Sequence, residues 1–257
     1  MTPADMLRRR AEALQLWGLV EHWANVATEP WLPPMLDWME EAKRRRSLES
    51  RLEKAKLGDF KPMADFDWGW PARIDREAVE DLFKLDFLAE GANVVLVGPN
   101  GVGKTMIAQN LAHQALLAGH TVRYTTAGTM LADLAACEGS VSLERALGRY
   151  IRPGLLVVDE VGYLSHNNRA ADLLFEVVSR RYAKRPMILT TNRPFAEWNE
   201  VFPNATCVVT LVDRLVHHAE VVAIAGDSYR AKEAAERAAN KERTRKRAKK
   251  AVEATPR

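Results

Sequence analysis

Cysteine is almost absent: Cys137 and Cys207 are the only two in 257 residues, and they stand far apart in no metal-ligand spacing. That excludes a thiolate metal site, fits a reducing cytoplasm and leaves both thiols as packing residues. Long apolar runs are missing too. No stretch reaches the about eighteen uninterrupted apolar residues that a membrane helix needs. The N-terminus lacks the apolar core of a signal peptide, because Arg8, Arg9 and Arg10 are followed by Glu12 and Gln15. There is no internal repeat. Net charge is only +3, so any polyanion preference must be read from where the charges lie and not from their sum. What is present is 47% apolar residues, enough for a sizeable core, in a length that suits one large domain or a core plus a smaller module.

The stretch with the most chemistry is Gly98-Pro99-Asn100-Gly101-Val102-Gly103-Lys104-Thr105. It fits G-x-x-x-x-G-K-[ST], and its surroundings fit as well. Val94, Val95, Leu96 and Val97 read as a strand before it, while Met106, Ile107, Leu111, Ala112 and Ala115 read as a helix after it. A glycine turn followed by a chance Lys-Thr would not need that context. The glycines let consecutive backbone N–H groups turn around an anion, and the helix N-terminus adds its partial positive charge. Lys104 would reach the β- and γ-phosphates of ATP, and the Thr105 hydroxyl would hold Mg²⁺.

A second apolar strand ends in acid: Leu155-Leu156-Val157-Val158-Asp159-Glu160. Buried parallel strands deliver their C-terminal residues to the sheet edge where nucleotides bind. There Asp159 would orient Mg²⁺, and Glu160 would act as general base on the attacking water. A third strand, Met187-Ile188-Leu189-Thr190-Thr191-Asn192, ends in an amide. Beside the Asp159 strand, Asn192 would bond the γ-phosphate or the water, although Asn followed by Arg193-Pro194 also suits a plain turn. Arg214, in Asp213-Arg214-Leu215, and Arg230, in Asp227-Ser228-Tyr229-Arg230, are either surface arginines or phosphate ligands. In the second case Arg214 acts on a neighbouring subunit's nucleotide and Arg230 on its own.

Along the chain, Thr2 and Pro3 start a helical pattern carried by Met6, Leu7, Leu14, Leu16, Leu19, Val20 and Trp23. Pro30, Pro33 and Pro34 break it. A second helix is predicted from about Met35 to Leu57, ending at Gly58. It carries the run Arg44, Arg45 and Arg46, interleaved with glutamates. Phe60, Phe66, Trp68 and Trp70 mark an ordered linker against the core, and Asp75 caps a short helix. Strands are predicted at Asn93–Val97, Thr121–Thr125, Leu155–Val158, Met187–Thr190 and Val221–Ile224, with helices between them. That alternation is α/β: a five-stranded parallel sheet flanked by helices. The tail carries Lys241, Arg243, Arg245, Lys246, Arg247, Lys249 and Lys250 against one Glu, a pattern that attracts DNA. The seven tryptophans read as packing residues, and His217-His218, adjacent on a helix, cannot chelate one ion together.

This order of motifs resembles the AAA+ ATPases of the initiator and loader type, and most closely the IstB family of ATPase helpers in insertion-sequence transposition. GPNGVGKT, LLVVDEVGYL, ILTTNRPF, DRLVHHAEV and GDSYR carry the resemblance, from about Ile74 to Arg230. The DnaC helicase loaders are similar in the same stretches. The resemblance implies a P-loop AAA+ core with ATP and Mg²⁺ as cofactors. The phosphate loop Gly98, Pro99, Asn100, Gly101, Val102, Gly103, Lys104 and Thr105, with Met106, would bind the nucleotide. Asn192 would be sensor 1, Arg214 the arginine finger and Arg230 sensor 2, and a helical insertion would lie within Ala127–Arg152. Too little chain follows Arg230 for a full helical lid, so sensor 2 would sit on a single helix. The expected organisation is a helical module over residues 1–58 for DNA binding, partner binding or assembly. An aromatic linker over 59–74, the ATPase core over 75–231 and a basic tail over 232–257 follow it. The implied partners are double-stranded DNA, a transposase and further copies of the chain in a ring or filament, without a membrane. A replicative helicase as partner is the alternative. A small-molecule kinase is disfavoured by the Asp-Glu pair, the TTN strand and the DRL arginine.

Overall fold

The computed structural model describes residues 2–163, 168–202, 207–238 and 240–241. They form two compact units, Met1–Lys54 and Ala55–Arg257.

In the first unit α1 (Pro3–Ala13) opens with a capping box. Thr2 Oγ1 accepts the Asp5 N–H at 3.2 Å, and Asp5 Oδ2 accepts the Thr2 N–H at 2.9 Å. The helical periodicity predicted through Trp23 does not become one helix. Gln15 takes a left-handed φ of 61°, and the chain continues as α2 (Trp17–Glu21) and α3 (Trp23–Val26). The reason is tertiary. Ala11, Leu7, Leu14, Leu16, Leu19, Val20 and Trp23 fold around Leu32 and Leu36 of α4 (Leu32–Ala55), and a straight helix would carry the later members away from them. α4 starts three residues before the predicted Met35, because prolines are tolerated in a first turn whose N–H groups have no helical partner. Arg10 ties α1 to α4 through Asp37 at 2.5 Å and Glu40 at 2.8 Å. Trp17, Trp31 and Trp38 are exposed, Trp38 by 70%, against the packing expectation. Arg44, Arg45 and Arg46 all face solvent on α4.

In the second unit Asp75 caps α5 (Arg76–Leu82), and a short α6 (Asp86–Glu90), not foreseen, leads into the sheet. The strands are β1 (Asn93–Val97), β2 (Val122–Thr126), β3 (Leu155–Asp159), β4 (Met187–Thr191) and β5 (Ala219–Ala223), all parallel in the order β2-β3-β4-β1-β5. β5 therefore begins two residues before the predicted Val221. The helices are α7 (Lys104–Leu117), α8 (Ala127–Ala135), α9 (Ser140–Ile151), α10 (Asn168–Arg181), α11 (Trp198–Val201) and α12 (Val208–Val216). α8 and α9 occupy the span predicted for the insertion.

Strand alternation builds both faces. Leu155 and Val157 of β3 point to a core shared with α5, α6 and α7, while Leu156 and Val158 point to a core shared with α8 through α12. Both free cysteines pack half-buried against the second core. In register, Val97 pairs with Thr191 and Ala223, and Thr126 pairs with Asp159. The C-terminal ends of all five strands therefore finish at one edge. No helix among the described residues is long and apolar enough to cross a membrane.

The opposite edge is held by Arg181, which is 1% exposed. Its guanidinium donates to the carbonyls of Tyr150 (2.9 Å), Ile151 (3.1 Å), Pro153 (2.9 Å), Gly154 (3.2 Å) and Pro186 (2.7 Å), joining the end of α9 to the starts of β3 and β4. Replacing it with Met keeps the stem and removes a donor from each of these acceptors, of which Ile151 keeps Arg185 and Pro186 keeps the Leu156 N–H. Arg181→Met is predicted to cost about 3 kcal/mol of stability, because unsatisfied buried acceptors cost about 1–3 kcal/mol each and some will rehydrate. An unchanged urea midpoint would show that the carbonyls find other donors.

Candidate nucleotide-binding site

The loop between β1 and α7 is shaped by what lies against it. A Cβ on Gly98 would stand 2.1 Å from the Ile224 carbonyl oxygen, so only glycine lets the chain after β5 pass so closely. Gly103, at a φ of 100°, begins α7 in a conformation that side chains avoid, and its bare Cα receives the Phe66 ring. The Gly101 carbonyl accepts the Tyr229 N–H at 2.9 Å, which brings the helical residues 229–238 to the loop.

Lys104 is buried and folds over its own loop. Its Nζ donates to the carbonyls of Gly98 at 2.6 Å and Pro99 at 2.7 Å. Burial pushes its pKa below 10.5; Asp159 opposes that shift, Arg230 adds to it and Glu160 opposes it. Thr105 Oγ1 donates to Asp159 Oδ1 at 3.3 Å. The Asp159 carboxylate is 3% exposed and also accepts the Tyr124 hydroxyl of β2 on Oδ2 at 2.5 Å and the Thr190 hydroxyl of β4 on Oδ1. Burial first, and then the Asp159 charge, push the Tyr124 hydroxyl well above its ordinary value, so it remains a donor.

Thr190 works twice, since its Oγ1 also accepts the Glu160 N–H at 2.9 Å. Glu160 itself takes a φ of 62°, rare for a residue with a side chain and typical of sites where geometry is imposed. The turn leaves its side chain exposed on the cleft while Asp159 stays buried. Asn192 follows β4, and its Oδ1 is buried without a hydrogen-bond partner among the described residues. Gly162 makes room for that amide, because a Cβ there would stand 1.9 Å from the oxygen.

These groups border a cleft of about 710 Å³. Asn100, Gly101, Val102, Gly103, Lys104, Thr105 and Met106 line its floor, Glu160, Thr190 and Asn192 one side, and Arg230 the rim. Gly98 and Pro99 lie behind Lys104. Phe60, Phe66, Trp70 and Pro71 of the aromatic linker form part of the remaining wall, a role in the site beyond the packing against the core that the sequence indicates. The linker is pinned to α7 by Asn110, whose Oδ1 accepts the Met63 N–H at 2.9 Å and whose Nδ2 donates to the Lys61 carbonyl at 2.9 Å. It is also clasped to residues 227–238. Trp70 Nε1 donates to the Asp227 carbonyl at 2.9 Å, and Lys232 meets Asp67 at 3.1 Å with its ammonium 4.4 Å from the Trp70 ring centre. Tyr124 and Thr190 were not anticipated, since nothing in a strand's own sequence says which acid its neighbour will offer.

Arg214 does not line the cleft. Its guanidinium lies over the Phe175 ring on α10, 4.9 Å from the centre. Lys241 is exposed, while Arg243, Arg245, Lys246 and Arg247 lie outside the described residues. Among the described residues no cluster of three or more His, Cys, Asp or Glu side chains could hold a metal, and His217 Nδ1 bonds the Tyr182 hydroxyl at 3.0 Å.

A glycine-lined phosphate cradle at the head of a parallel sheet, with a threonine hydroxyl bonded to the acid that ends β3, defines a P-loop nucleotide-binding protein. The match over residues 9–237 settles which kind: the chain belongs to the family of IstB-like ATP binding proteins. It is 39% identical over 74% of its length to an ATP-binding protein named for insertion sequence IS21 in Pseudomonas aeruginosa, covering 72% of that protein. It is 30% identical over 84% of its length to one named for IS5376 in Geobacillus stearothermophilus, covering 88% of it. Among solved structures, the replication initiator DnaA bound to AMPPCP and single-stranded DNA shares the fold, with a TM-score of 0.54 at 22% identity over 65% of this chain. This chain spans half of that one. DnaI shares it too, with a TM-score of 0.51 at 17% identity over 67% of this chain and 93% of that one. ATP is thus the nucleotide for which the family is named.

The buried lysine is predicted to make ATP affinity pH-dependent. As a phosphate ligand Lys104 would act in its charged form, and burial pushes its pKa below 10.5. Affinity is therefore predicted to hold near neutrality and to fall as pH rises through that depressed value, before an ordinary lysine would lose its proton. Lys104→Arg, charged throughout, should show a flat profile whatever its absolute affinity. Calorimetric titration across that range checks this. A wild-type profile that stays flat up to the ordinary lysine pKa would remove Lys104 from phosphate binding.

Proposed function

We propose that this protein hydrolyses ATP while assembled on double-stranded DNA, presents that DNA to a partner transposase, and is reset by hydrolysis. The observation that supports hydrolysis is the arrangement around Thr190: one hydroxyl holds Asp159 inward and Glu160 outward, with the unpaired Asn192 oxygen beside them. The Glu160 carboxylate takes a proton from the water that attacks the γ-phosphorus. The bond from that phosphorus to the β–γ bridging oxygen breaks, and ADP and phosphate leave. Asn192 orients the water, while Lys104 and the loop N–H groups receive the charge that develops on the phosphate oxygens. Thr105 and Asp159 fit Mg²⁺, which when bound neutralises phosphate charge. Arg230 holds the phosphates of its own subunit, and Arg214, away from its own cleft, serves a neighbour's in a ring or filament.

The transposition reading is supported by the relatives named for insertion sequences; the helicase-loader alternative rests on the same core. For DNA, the candidates are Arg44, Arg45 and Arg46 on α4, and the basic tail with Lys241, Arg243, Arg245, Lys246 and Arg247.

Glu160→Gln is predicted to keep ATP binding, to lose about 10²–10⁴-fold in turnover and to trap the assembled state on DNA. Phosphate release and ATP affinity measured together test this, and normal turnover would overturn the general-base assignment. Deleting the tail from Lys241 should weaken binding to all DNA sequences alike. It should also flatten the log–log salt dependence by about 0.9 for each DNA phosphate that the tail neutralises. An unchanged slope would assign the DNA interface to Arg44–Arg46 instead.

A further inference from the structure

Arginines on several elements find a carboxylate: Arg10, Arg76, Arg149, Arg180 and Arg193 all do within 3.3 Å. Arg214 has no carboxylate within salt-bridge distance among the described residues, and Asp213 beside it faces solvent. Its guanidinium rests on two aromatic faces, 4.9 Å from the Phe175 ring centre and 5.8 Å from that of Tyr182. These rings stand seven residues apart, on α10 and just past its end, so they belong to one helix face. Tyr182 is itself held by its hydroxyl against His217 Nδ1 at 3.0 Å, three residues beyond Arg214.

An aromatic face and a carboxylate do different things to an arginine. A carboxylate takes up the N–H fork and must be displaced before a phosphate can bind. A ring attracts the cation through its face and leaves the N–H groups, which point outward in the guanidinium plane, free to donate.

We propose that Phe175 and Tyr182 are positioning residues for Arg214: they seat its guanidinium, charged and without a carboxylate partner, so that it can donate to the nucleotide phosphates of a neighbouring copy. This rests on the reading that Arg214 acts in trans. The seat lowers the ordering cost of placing a long side chain across an interface, and it replaces a competing anion with a face that does not compete.

The test compares Phe175→Leu, which keeps an apolar side chain but removes the π face, with Phe175→Tyr, which keeps the face. ATPase is measured on the full chain with duplex DNA, resolved into kcat and KM, beside ATP affinity of the dilute protein and thermal stability. Phe175→Leu should lower kcat about three- to thirty-fold with KM and dilute-protein affinity unchanged, and Phe175→Tyr should restore kcat. Tyr182→Leu, just past the end of α10, carries the same expectation should Phe175→Leu not fold. Equal losses in Leu and Tyr variants, or losses that track thermal stability, would make the rings mere packing and overturn the seat. If Arg214→Ala loses turnover while both Leu variants retain kcat, the seat fails and the in-trans reading stands. If Arg214→Ala turns over normally on DNA, both fail.

Discussion

The Asp159 carboxylate is the point on which the site depends. It is a polar group removed from water at the end of a buried strand, and three hydroxyls reach it from three other elements: Thr105 of α7, Tyr124 of β2 and Thr190 of β4. Those bonds are possible only when β2, β3 and β4 end in register and the phosphate loop turns back over them. The sheet register is thus a condition for satisfying the buried acid's oxygens as well as for packing. Thr190 extends the constraint by one residue, since its bond to the Glu160 N–H sustains a backbone conformation that would otherwise be costly.

A second constraint is steric. Gly98 and Gly103 have bare Cα atoms because Ile224 and Phe66 occupy the space, so the loop is compressed between the segment after β5 and the aromatic linker. The linker is not a tether in this unit. Asn110 fastens it to α7, and Trp70, Asp67 and Lys232 fasten it to the helical residues 229–238 that carry Arg230. The side of the cleft away from the strand ends is therefore made of two segments far apart in the chain that hold one another. Arg230 and the aromatic wall thus belong to one assembly.

The Met1–Lys54 unit has a small core, centred on Ala11, Leu32 and Leu36, with the Arg10 bonds to Asp37 and Glu40 beside it. It leaves three tryptophans and the Arg44–Arg46 run facing solvent. Apolar spacing alone marked its residues as helical but did not say where the helix bends. The bend at Gln15 answers to a cluster formed with a segment beyond the prolines.

Several things were written in the sequence: five strands, the phosphate loop, the acid-ended strand, the amide-ended strand and a cap at Asp75. Each is a local pattern of apolar period, glycine, capping residue or charge, and local patterns follow from backbone sterics and nearest neighbours. The strand order, Tyr124 and Thr190 as partners of Asp159, the aromatic wall of the cleft and the rings under Arg214 were decided only by tertiary structure. Each is a meeting of residues whose separation in the chain carries no signal, and a tyrosine or threonine in a strand reads the same whether it faces an acid, a ring or solvent. The sequence could say that Arg214 is a permanently charged side chain in a motif; that it stands on two aromatic faces, away from its own cleft, follows only from how α10 packs on α12.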